Sequence, residues 1–161
     1  MKQIWAPWRM AYMGQGEKKA GCVLCDICAA DDDVANYVLY REERAYLVLN
    51  LYPYNNGHLM VVPYAHVASL EGLEAETLTQ LMLLVNRGLA ALRQTMAPHG
   101  FNVGVNLGRA AGAGIDEHVH IHIVPRWTGD TNFMPVLGET RVIPEMLRET
   151  YTRLLKVLQE G

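Results

Sequence analysis

The run His118-Val119-His120-Ile121-His122-Ile123-Val124-Pro125-Arg126-Trp127 alternates three histidines with β-branched residues. Successive side chains of an extended strand point to opposite faces. His118, His120 and His122 therefore share one face, and Val119, Ile121 and Ile123 share the other. Neighbouring histidines on such a face stand about 7 Å apart and the outer two about 13 Å, so one reacting centre is not approached equally by all three. The middle residue, His120, is best placed to attack. Neutral imidazole is a competent nucleophile near pH 7, with an unperturbed pKa of about 6.5. His122 is placed to donate hydrogen bonds to phosphate oxygens or to manage the proton of a leaving group. No nearby serine or cysteine sits in an elbow motif, so direct attack by histidine is the simplest nucleophilic chemistry.

The fold follows outward from that strand. Before it, Phe101–Leu107 reads as another strand, joined to it by the glycine- and alanine-rich loop Gly108–Gly114. Apolar residues at helical spacing (Leu78, Leu81, Met82, Val85, Leu89, Leu92) predict a long helix from Leu73 to Met96, with Glu74 and Glu76 in its first turn and Pro98 and Gly100 beyond its end. Earlier still, Tyr37–Tyr40 and Ala45–Asn50 flank the charged turn Arg41-Glu42-Glu43-Arg44 as a β-hairpin. The turn-forming loop Leu51–Gly57 leads into a third strand, His58–Pro63. After the histidines, Trp127–Glu139 is irregular, and Pro144–Gln159 predicts a C-terminal helix with proline in its first turn. Most connections between strands are too short for parallel crossovers. The expected fold is α+β: an antiparallel β-sheet of about five strands, one long helix and a C-terminal helix. Residues 1–161 form a single domain, with residues 1–20 as an N-terminal arm in which Trp5 and Trp8 need burial.

Composition narrows the function. Half the residues are hydrophobic, 19% are charged and the formal net charge is −3, which is ordinary for a globular protein and gives no basic footprint for nucleic acid. No run approaches the roughly 18 apolar residues that span a bilayer, and the first residues lack the apolar core of a signal peptide, so a cytoplasmic location is expected. The three cysteines, Cys22, Cys25 and Cys28, are too few and too crowded for a disulfide framework. Cys22-Val23-Leu24-Cys25 has the spacing of a zinc knuckle and equally of a thiol redox pair. Two further zinc ligands would be needed, and His66 and one member of the histidine triplet are candidates. Cys28, three residues past Cys25, reads as a free buried thiol, with a third sulfur ligand as the alternative.

These residues resemble the histidine triad superfamily, whose pattern of histidine-apolar-histidine-apolar-histidine-apolar-apolar is matched by His118 to Val124. Leu47-Val48-Leu49-Asn50 and Gly57-His58-Leu59-Met60-Val61-Val62-Pro63 look like the family's earlier strands. Trp5-Ala6-Pro7-Trp8-Arg9 and Pro125-Arg126-Trp127 look like a bacterial branch that includes diadenosine tetraphosphate phosphorylases. The resemblance implies a homodimer with a continuous sheet, acting on a nucleotide such as a dinucleoside polyphosphate or a nucleoside phosphoramidate. His120 would form a nucleotidyl-histidine intermediate, His122 would flank the phosphate, and water or phosphate would release the product. Asn50 would bind the ribose hydroxyls and Asn106 would lie near the phosphates. Cys22, Cys25, His66 and His118 would be the ligands of a structural zinc.

Two departures qualify that picture. Many hydrolases of the family carry a glutamine and a hydroxyl residue before the triad, where this chain has Gly112-Ala113-Gly114. Backbone N–H groups of the loop, at Gly112 and Gly114, would have to serve the phosphate instead. Transferase and phosphorylase members often have glutamine at the third position, whereas His122 is kept here, which tilts the expectation toward hydrolysis. The competing readings are a nucleotide-binding protein without turnover, a phosphorylase, and a hydrolase using metal-bound water. On the residues alone Asn50 also reads as a turn cap. His58, His99 and Arg126 read as structural or surface residues, and Arg109 as either a phosphate contact or a solvated side chain.

Overall fold

A computed structural model of the chain describes residues 21–130 and 143–160. The N-terminal arm with Trp5 and Trp8, and most of the irregular stretch after the histidines, lie outside the described residues.

Five strands form one antiparallel sheet: β1 (Val38–Arg41), β2 (Ala45–Leu49), β3 (Leu59–Pro63), β4 (Gly100–Val105) and β5 (Ile121–Arg126). Their order across the sheet is β1-β2-β3-β5-β4, so β5 inserts between β3 and β4. Both neighbours of β5 run antiparallel to it. β3 and β4 therefore point the same way, and the connection between them must cross over a sheet face. That crossover is the long helix, Ala75–Met96, which ends at Ala97 in the left-handed conformation (φ 45°, ψ 52°) just before Pro98.

The period-two alternation divides the side chains between two layers. Leu47, Leu49, Leu59, Val61, Ile121 and Ile123 meet Leu81, Leu84, Val85 and Leu92 of the long helix and Tyr151, Leu154 and Leu158 of the C-terminal helix in the main core. Each such buried aliphatic side chain contributes about 2 kcal/mol. Gly88 lets the helix lie close on the sheet, since a Cβ there would meet Ile123 Cδ1 at 3.0 Å. On the opposite face Tyr46, Val48, Met60 and Val62 form a second apolar cluster with Leu24 and Ile27. The histidines belong to this second face.

Leu24 and Ile27 come from a helix that the sequence did not announce, Val23–Ala29. With seven residues and no side-chain cap at Cys22, it is too short to be stable alone. The sheet holds it: Tyr46 donates its hydroxyl to the Leu24 carbonyl at 2.7 Å. Arg41, paired with Asp33 at 2.7 Å, donates to the carbonyls of Ile27, Cys28 and Ala30 that the helix end leaves open. In chain order the helices are thus α1 (Val23–Ala29), α2 (Ala75–Met96) and α3 (Leu147–Glu160). α3 starts later than the proline signal suggested. Glu145 bonds Thr150 at 2.6 Å and Arg153 at 2.6 Å, fixing the first turn beyond Pro144.

Candidate functional site

The first correction to a flat histidine strand is local. Regular pairing in β5 begins at Ile121, so His118 and His120 precede the strand and are free to turn. His120 and His122 tilt edge to face, with ring centroids 4.7 Å apart, while His118 turns towards the cysteines. Across the sheet His122 lies level with Met60 on one side and Gly104 on the other. The register ends where Val105 lies opposite Ile121, so Asn106 follows directly after the edge strand β4. A Cβ at Gly104 would meet nothing within 4 Å, so the floor beside His122 is open.

Heavy-atom geometry assigns the imidazole protons. His120 Nδ1 lies 2.8 Å from the carbonyl of His118, which can only accept, so Nδ1 carries the proton and Nε2 keeps its lone pair. His122 is set the other way by a chain of three residues. The amide side chain of Asn50 accepts the Tyr52 N–H at its oxygen (2.9 Å), which turns its nitrogen toward His58 Nδ1 at 3.3 Å. The Tyr54 N–H donates to the same Nδ1 at 3.0 Å. Two donors on Nδ1 leave the His58 proton on Nε2, which donates to His122 Nδ1 at 2.9 Å. His122 therefore presents an N–H from Nε2. Two adjacent imidazoles thus hold opposite roles, one a lone-pair donor and one a proton donor.

His58 was expected to be structural or at the surface. It is fully buried and positions His122. The available signal was its parity: His58 alternates with Met60 and Val62, and Asn50 with Tyr46 and Val48, all on the histidine face. Asn50 does cap a turn, and in doing so joins the site through His58. His99 accepts the Thr128 N–H at 2.9 Å, and Arg126 binds Asp130 at 2.7 Å; both hold the turn after β5.

Burial pushes the His120 imidazole below its usual pKa, opposed by the bond to His118. His122 is pushed down from 6.5 to about 4, by burial first and by His120 second. A proton on its Nδ1 would also face the His58 N–H. Unfolded, His122 takes up a proton below about 6.5; folded, it resists until about 4. Stability from this group is present above pH 6.5 and is lost as pH falls toward 4, by up to about 3 kcal/mol. Urea titrations across that range should show a shallower acid loss in His122→Gln than in the parent. Equal slopes would refute the assignment.

At the far end, Cys22, Cys25, His66 and His118 each bring one ligand atom within 4.8 Å of the others. The Val119 N–H donates to the Val67 carbonyl at 2.7 Å, which draws the His66 loop to the histidine run. His118 Nδ1 lies 3.3 and 3.4 Å from the two sulfurs, and His66 Nδ1 lies 3.2 Å from Cys25. The edge of a tetrahedral zinc site with two sulfurs and two nitrogens is about 3.6 Å. The Nε2 of His118 donates to the Pro63 carbonyl at 2.8 Å, leaving Nδ1 as the ligand atom. Desolvation, and then Cys22, push the Cys25 thiol up, a penalty that a divalent cation relieves by holding a thiolate. The donor set fits zinc. Cys28 stays outside it, packed against the α1 cluster.

Of the two backbone donors expected in the loop before the histidines, the Gly112 N–H is turned to the loop itself. Ala111, Gly112 and Ala113 direct their N–H groups at the carbonyls of Gly108 and Arg109, at 2.9–3.3 Å. Gly108 and Gly112 take positive φ (77° and 87°), which this tight turn requires.

A five-stranded antiparallel sheet bearing three alternating histidines, with a long helix crossing its other face, defines a histidine triad protein. The HIT domain model matches residues 32–129, and the chain belongs to that family. It is 40% identical over 158 residues to a protein of Mycobacterium tuberculosis named AP-4-A phosphorylase, covering 93% of this chain and 80% of that one. An uncharacterised HIT-like protein of Saccharolobus solfataricus is 27% identical over 86% of this chain and 96% of its own. Among solved structures, a zinc-bound histidine triad family protein from Mycobacterium smegmatis superposes with a TM-score of 0.71 at 28% identity, covering 87% of this chain and 94% of that one.

Proposed function

We propose that the chain transfers a nucleotidyl group through His120, acting on a dinucleoside polyphosphate or a similar nucleotide conjugate. The observation that carries this is the pair of opposite tautomers: a lone pair on His120 Nε2 beside an N–H on His122 Nε2. Nε2 of His120 attacks the α-phosphorus, a P–N bond forms, and the bond from phosphorus to the leaving-group oxygen breaks. The nucleoside polyphosphate leaves as an anion, its departing oxygen held by a hydrogen bond from His122 Nε2–H, which keeps its proton. An acceptor then attacks phosphorus, the P–N bond breaks and His120 is restored. Burial keeps both imidazoles neutral near pH 7, as the attack requires. Asn106, directly after β4 at the start of the loop to the histidines, is suited to the phosphate oxygens. Asn50, at the other end of the same face, is suited to the ribose.

The acceptor is open between two supports. Retention of His122 favours water, whereas likeness to a protein named AP-4-A phosphorylase favours inorganic phosphate. Zinc bound by Cys22, Cys25, His66 and His118 would supply a staple between α1, the loop after β3 and the histidine run. With four protein ligands, water has no place on it as a nucleophile.

Rapid quenching with a diadenosine polyphosphate, followed by intact mass and peptide mapping, should find a nucleotidyl adduct on His120. Discharge in buffer should give nucleoside monophosphate; discharge with phosphate should give nucleoside diphosphate if phosphate is the acceptor. Turnover with no adduct at any quench time would show direct displacement instead.

A further inference from the structure

The loop that joins Asn106 to the histidines, Gly108-Arg109-Ala110-Ala111-Gly112-Ala113-Gly114, carries one polar side chain, Arg109. Its N–H groups at Ala111, Gly112 and Ala113 are turned inward. A polyphosphate extending from His120 over this loop would meet the Arg109 guanidinium as the loop's one side-chain donor. Its placement is fixed by the opposite limb of the loop. Ile115 packs on the apolar cluster of the histidine face. The next residue, Asp116, takes the Arg109 Nε–H at 2.7 Å. That single bond orients the planar group and leaves the two terminal nitrogens as a fork, on a side chain that is 72% exposed.

Other arginines are committed differently. Arg126, past the far end of the histidines, is held by both oxygens of Asp130 at 2.7 and 2.8 Å and by Asn102 at 2.7 Å. Arg41, Arg44, Arg87 and Arg153 pair with carboxylates on other parts of the surface. In a chain of net charge −3, a substrate with several phosphates needs a local cation.

We propose that Arg109, oriented by Asp116, binds the phosphates beyond the α-phosphate and so selects polyphosphate over uncharged leaving groups. This rests on the nucleotidyl-transfer reading of His120, which fixes where the α-phosphate lies. A guanidinium fork suits two oxygens of one phosphate or of neighbouring phosphates. It has nothing to grip in a phosphoramidate whose leaving group is a neutral amine.

The test compares the parent with Arg109→Ala, Arg109→Lys and Asp116→Asn on diadenosine tetraphosphate and on adenosine phosphoramidate. Arg109→Ala should lower kcat/KM for the tetraphosphate by about 10- to 100-fold and change the phosphoramidate by less than about 3-fold. Lysine should restore part of the loss, and Asp116→Asn should give a smaller loss confined to the tetraphosphate. Arg44→Ala, on the β1–β2 turn, is the control. Equal losses on both substrates, or none on either, would overturn the proposal. Calorimetric binding of ATP and AMP separates it from the reading beneath it. If no turnover or adduct is found but Arg109→Ala abolishes a preference for ATP over AMP, Arg109 stands and the transfer reading falls. If turnover is intact and that preference is unchanged, Arg109 falls and the transfer reading stands.

Discussion

His120→Ala is expected to lower nucleotide release by about 10⁴-fold or more while AMP still binds. The imidazole is the attacking group and no neighbour can replace it. His122 offers an N–H where a lone pair is needed, and His118 faces the cysteines. The smaller side chain leaves the apolar surroundings intact, so folding should survive. The nucleotidyl adduct should vanish with the turnover. A variant that kept parental turnover in a preparation free of parental enzyme would refute covalent catalysis. A variant that lost AMP binding as well would show that His120 holds the ground state, so that its loss measures binding together with chemistry.

The second large effect should come from the metal. Removing it with a chelator, or replacing Cys25 with serine, should lower the melting temperature by roughly 10 °C, equivalent to several kcal/mol. The four candidate ligands join three pieces: the short helix α1, the loop bearing His66 and the run before β5. α1 cannot persist alone, so losing the staple should expose its apolar side and the Tyr46 cluster beneath it. Metal content by elemental analysis should fall in step with stability, and zinc should restore both after chelation. Cys28→Ser, outside the ligand set, should do neither. A freshly purified protein holding no metal, with Cys22 and Cys25 joined to each other, would sink the assignment.

The alternation of His118 to Val124 carried most of the architecture. It placed Ile121 and Ile123 in the core and the histidines on the other face, and short connections excluded parallel pairing. What it could not carry was side-chain rotation before the strand begins. Equal spacing along a backbone singled out the middle imidazole but not the ring orientations: His118 and His120 lie ahead of regular pairing, and their rings follow local hydrogen bonds. α1 escaped notice for a related reason. Its seven residues, about two turns, lack a side-chain cap and bury only Leu24 and Ile27, and its end is held by Arg41, which lies in the first strand. The role of His58 was hidden because it arises from donors that only the folded turn at residues 50–54 brings together.

One imidazole belongs to two machines. His118 offers Nδ1 to the metal group, and its carbonyl holds the proton of His120. Any influence of metal occupancy on nucleotide affinity must, by thermodynamic reciprocity, be returned as an equal influence of nucleotide on metal affinity. On the proposed function, zinc retention and nucleotide occupancy would share one coupling constant, read as the difference in zinc affinity with and without nucleotide.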